Sequence, residues 1–101
     1  FKLINIHSSN NDVLFSVGFR DGGSAYDATK TSTYFRARHD ESGSTGQLGY
    51  DDGEDLAQGT GFQGLTEGDG IDNDQSCSGT IHIYNPADTT FVKHYMSNFI
   101  I

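Results

Sequence analysis

The chain predicts an all-β fold, an antiparallel β-sandwich of jelly-roll-like character, on three observations. Apolar residues alternate with a period of two in several short runs, as in sheets with one buried side. Turn-forming clusters of Gly, Asn, Asp, Ser and Pro separate those runs. No segment sustains the i, i+3, i+4, i+7 apolar spacing of an amphipathic helix, so little helix is expected.

The elements follow in chain order. Residues 1–7 form a first strand, with Ile4 and Ile6 on one face and Phe1 and Leu3 on the other, and residues 8–12 turn it through short polar side chains. Residues 13–20 give the cleanest alternation, Val13, Phe15, Val17 and Phe19 against Leu14, Ser16, Gly18 and Arg20, closed by Asp21-Gly22-Gly23-Ser24. A third strand covers 31–39, with Thr31, Thr33, Phe35 and Ala37 in one phase and Tyr34, Arg36 and Arg38 on a solvated one. Between 40 and 75 the pattern weakens into a long Gly/Asp-rich loop. It holds a short strand at 48–50, an acidic turn at 51–55, and the anchors Leu56, Phe62 and Leu65.

The final hairpin is the strongest element. In its first strand Cys77, Gly79, Ile81 and Ile83 share the apolar face, and Asn85-Pro86-Ala87-Asp88 ends it because proline fixes φ and lacks an amide donor. The returning strand, from Thr89 to Ile101, is apolar on both sides, with Phe91, Tyr95 and Phe99 on one and Val92, Met96 and Ile100 on the other. Such a strand is covered either by another layer of its own chain or by another subunit. These six residues are the expected interface.

Composition narrows the function classes. A length of 101 residues fits one domain, here residues 1–101. The apolar runs at both ends lead us to expect a module or fragment of a longer chain. With 6 Lys and Arg against 14 Asp and Glu, the formal charge of −8 opposes nucleic-acid binding and attachment to anionic membranes. No apolar run approaches the roughly 20 residues needed to cross a bilayer as a helix, so no membrane insertion is expected. The single cysteine, Cys77, excludes an internal disulfide framework and reads as a buried inert thiol.

Few motifs carry chemistry. Asp69, Asp72 and Asp74 in the loop EGDGIDNDQS are candidate calcium ligands. An EF-hand register from Asp72 fails, since Cys77 stands where glycine is required and Ile83 where the bidentate glutamate belongs. Solvated turn residues are the plainer reading, and no cofactor is expected. His7, His39, His82 and His94 fall on four separate strands without zinc-ligand spacing. No nucleophile elbow, phosphate loop or dinucleotide fingerprint occurs, and no catalytic residue is assigned. Tyr26, Tyr34, Tyr50 and Tyr84 fall on polar faces or loops, where tyrosines either cap a thin core or line a sugar- or protein-binding surface.

Four strings, DVLFSVGFRDGGSAYD (12–27), ARHDESGS (37–44), DLAQGTGFQGL (55–65) and GIDNDQSCSGTIHIYNPADTTFVKHY (70–95), cover most of the chain. Together they resemble a β-rich domain recurring in structural proteins of tailed, notably marine, bacteriophages. The GTIHIYNPADTTFVKHY hairpin is the most telling part. The resemblance implies a non-enzymatic virion-surface module of a tail fibre, spike or capsid decoration. It would form homo-oligomers, often trimers, contact other virion proteins and attach to host-surface glycans. The alternative is a carbohydrate-binding module of an adhesin or a glycan-active enzyme.

Overall fold

The structure, a computed structural model, describes residues 1–68 and 70–101. It is all-β, with no helix among the described residues and seven strands: β1 (Lys2–Ile6), β2 (Ser16–Val17), β3 (Phe35–His39), β4 (Gly46–Tyr50), β5 (Gln63–Gly64), β6 (Cys77–Tyr84) and β7 (His94–Ile100). They form an antiparallel three-stranded sheet in the order β1-β6-β7, an antiparallel β3-β4 ribbon, and a β2-β5 pair. Two compact units result, residues 1–16 with 64–101, and residues 17–63.

In the first unit β6 is central. Cys77 is 1% exposed and Ile81 is buried beside it in phase, as the alternation predicts, and Leu65 completes the buried apolar set. Glycine at 79 is required, because a Cβ there would overlap the Asn98 carbonyl oxygen and the Phe99 ring. Phe99 also meets Phe15, ring centroids 5.9 Å apart. The β6-β7 turn closes with the Asp88 N–H donating to the Asn85 carbonyl at 3.2 Å, and Asn85 takes φ 47°. Asn tolerates that left-handed conformation better than most residues.

Two expectations about residues 1–20 fail. In β1, Leu3 faces Gly79 and Ile6 faces Cys77, so three steps along β1 match two along β6. This is a bulge, with Asn5 at φ 53° and its N–H held by the Ser78 hydroxyl at 2.9 Å. The extra residue turns Leu3 and Ile6 to the same side and sends Ile4 outward, against the pairing of Ile4 with Ile6 expected from alternation alone. The alternating run 13–20 shrinks to the two residues of β2. Phe15 gives its N–H to the Thr66 hydroxyl (3.1 Å) and receives the Leu65 N–H (2.8 Å), so a side chain replaces a ladder bond.

The second unit is one long hairpin with an excursion. Lys30 exchanges backbone hydrogen bonds with Gly59 (2.8 and 2.9 Å), the Ser32 N–H reaches the Leu56 carbonyl (2.8 Å), and β3-β4 continues the ladder outward. The acidic turn at 51–55 interrupts one arm, and Tyr34 spans the gap. Its carbonyl accepts from the Asp51 N–H at 3.1 Å and its N–H donates to the Asp55 carboxylate. The long loop expected between 40 and 75 is therefore divided by β4, by the 55–59 arm and by β5. Phe62, expected as an anchor, is exposed, its ring lying where a Cβ of Gly18 would stand.

Candidate assembly surface

Each strand of the three-stranded sheet turns one set of side chains away from the core. The register places Ser78 beside Ile100 on that outer face, Lys2, Thr80 and Asn98 in the next row, then His82 beside Met96 and Tyr84 beside His94, and Ile4 lines the same depression as Ser78 and Ile100. Small central residues between larger flanking ones leave an open depression of about 280 Å³ along the first two rows. Ile4 is 66%, Met96 57% and Ile100 75% exposed on this face. At one end, the His82 and Tyr84 rings stack at 6.4 Å.

Electrostatics mark the same sheet. Residues 1–11, 75–87 and 89–101 contain no carboxylate, although the chain has 14 acidic residues and a formal charge of −8. The sheet instead carries Lys2, His82 and His94, with Lys93 just before β7, its ammonium donating to the Phe91 carbonyl at 2.8 Å. The described acidic residues all lie outside the strands, and several cap turns or pair across them. Asp40 accepts from the Ser44 hydroxyl (2.6 Å) and the Thr45 N–H (3.2 Å), and these bonds hold its carboxyl at about 2, below the usual 3.8. Asp88 is held low by the Phe91 and Thr90 N–H groups, and Asp51 chiefly by its hydrogen bond from Arg36.

Of the six expected interface residues, four are exposed: Met96 and Ile100 on the outer face of β7, and Phe91 and Val92 in the segment preceding it. Tyr95 and Phe99 are half-buried on the inner face. The structure thus divides the two sides that the sequence grouped. Ile4 was missed, because its outward position depends on the bulge, for which Asn5 was the available signal.

The four tyrosines are dispersed. Tyr84 lies on the three-stranded sheet, whereas Tyr26, Tyr34 and Tyr50 belong to the other unit. Tyr26 lies under the Arg20 guanidinium at 5.2 Å. Tyr34 is half-buried, and burial pushes its phenol above the usual 10.0, with the nearby Arg36 charge opposing. Tyr50 is exposed and meets Phe35 edge-on across the ribbon at 6.0 Å, with Leu48 exposed beside them.

This patch inverts the expected faces of residues 31–39. Arg36 turns in and Phe35 turns out. The reason is cross-strand. Arg36 stands opposite Gly49, which leaves room for the guanidinium to reach both diagonal neighbours, Gln47 Oε1 at 3.0 Å and Asp51 Oδ2 at 2.8 Å.

Among the calcium candidates, Asp69 lies outside the described residues. Asp72 and Asp74 are exposed on a turn closed by the Gln75 N–H donating to the Asp72 carbonyl at 3.0 Å, while Gln75 Oε1 accepts from the Asp72 N–H at 3.2 Å. Among the described residues no three His, Cys, Asp or Glu side chains converge to hold a metal ion. No protein-family model, curated protein or solved structure matches the chain.

Proposed function

We propose that this protein is a non-catalytic structural module that works by assembling with further copies of itself through the β1-β6-β7 sheet. One observation carries the reading. In a strongly acidic chain, the sheet whose outer face exposes Ile4, Met96 and Ile100 has no carboxylate in its strands. Copies of a chain charged at −8 repel wherever their acids meet, so a sheet without carboxylates is where they approach at least cost.

The finer parts of the reading rest on the sequence resemblance. These are a place on the virion exterior in a tail fibre, spike or capsid decoration, contact with other virion proteins, and attachment to a host glycan. The sandwich or jelly-roll arrangement belongs here too, with the three-stranded sheet supplying one layer.

Met96→Asp and Asn98→Asp, made together, test the reading, because both side chains are exposed and the substitutions cost the isolated fold little while adding two carboxylates to the sheet. Light scattering is expected to show loss of the oligomer, with the far-UV circular dichroism of the fold unchanged. An oligomer that survives both would sink the proposal. The carbohydrate-binding alternative is favoured by the exposed Phe35 and Tyr50 pair beside Leu48, since sugars stack on such rings. It predicts glycan binding by a monomer.

A further inference from the structure

We propose that two copies join edge to edge through β7, antiparallel about a two-fold axis at Ser97, so that two three-stranded sheets become one of six strands. This rests on the assembly reading and names its contact.

The first support is the choice of edge. β1 and β7 are the two edges of the sheet. β1 is bulged at Asn5, a device that spoils pairing with a further strand. β7 is seven regular residues, HYMSNFI, without Pro, Gly or an acid, and seven of them pair in unbroken register with β6. Such an edge is a template for another strand.

The second support is self-complementarity. About Ser97, Tyr95 falls opposite the second copy's Phe99 on the inner face, while Met96 falls opposite Asn98 and His94 opposite Ile100 on the outer face. A two-fold axis perpendicular to the sheet keeps inner side chains with inner ones. Directly opposed side chains in antiparallel strands have Cβ atoms about 4.5–5.5 Å apart, so the arrangement makes two aromatic pairs and opposes no like charges.

The third support is electrostatic. Neither β7 nor its neighbour β6 carries a carboxylate, so the strands flanking the axis add no acid–acid repulsion. Stacking two outer faces is the poorer geometry, because it would bury Lys2, Thr80, His82 and Asn98 with no defined partners.

Cysteine cross-linking reads the register directly. Met96→Cys and Asn98→Cys are made separately in the full protein, both at exposed positions, while the native Cys77 is buried. Mixed and oxidised, the two variants are expected to give a covalent dimer. Each alone is expected to lose most of that yield, since like positions sit diagonally, about 7–8 Å apart. Light scattering on the unmodified protein and melting curves of both variants run alongside. An oligomer without the selective cross-link overturns edge pairing and leaves the assembly reading standing. A monomer at high protein concentration overturns both.

Discussion

The β6-β7 hairpin and the long hairpin of residues 30–59 share a topology and differ in what holds them. The first packs apolar side chains, with Cys77 and Ile81 buried and Phe99 against Phe15. The second is organised by polar groups, with Lys30 and Gln63 buried, a Ser32 hydroxyl donating to Gln63 Oε1, Gln63 Nε2 donating to the Glu54 carbonyl at 3.0 Å, and Arg36 paired with Asp51. Apolar packing loses stability in proportion to the volume removed. A polar network fails when one member leaves another buried and unsatisfied.

The largest effect should come from Ile81→Ala. It leaves a cavity beneath β6 and is expected to cost about 2–5 kcal/mol in denaturant unfolding, with hydrogen-exchange protection lost first in β6 and β7. Equal loss of protection in β3 and β4 would show that the two hairpins unfold as one and erase the contrast.

Next in size is Gln63→Leu. It keeps the volume but strips partners from the Ser32 hydroxyl and the Glu54 carbonyl, and about 1–3 kcal/mol is expected. A neutral result would mean that shape, and not hydrogen bonding, holds residues 30–59.

The smallest effect is with pH. Asp40 has a folded pKa of about 2 against 3.8, so its contribution is complete above the unfolded value and is lost as pH falls from about 4 toward 2. Asp51 shifts in the same direction through Arg36. The β3-β4 ribbon should therefore loosen first on acidification, seen as earlier exchange of its amides, and Asp40→Asn should flatten that dependence. Asp88 is also lowered, but its turn joins strands that apolar packing secures.

This contrast also explains what could be read from the chain. Cys77, Ile81 and the Asn85–Asp88 turn were legible because alternation and turn chemistry are local signals. The inward turn of Arg36 was not, since it depends on facing Gly49 and on two partners reached only once the register is known. The run 13–20 misled because alternation reports which side chains could be buried, not whether a partner strand exists. For the candidate assembly surface, the outward phase of Met96 and Ile100 could be read, whereas Ile4 needed the bulge and the carboxylate-free sheet needed the first strand brought beside the distant last hairpin.

The bulge at Asn5 also sets a limit on growth. A sheet open at both edges has a valency of two and propagates into a ribbon or fibre. Here one edge is blunted by an inserted residue, so pairing at β7 consumes the only serviceable end and leaves a bulged β1 at each outer margin. An assembly built this way terminates at two sheets. A single asparagine in a left-handed conformation would then separate a finite particle component from an aggregate.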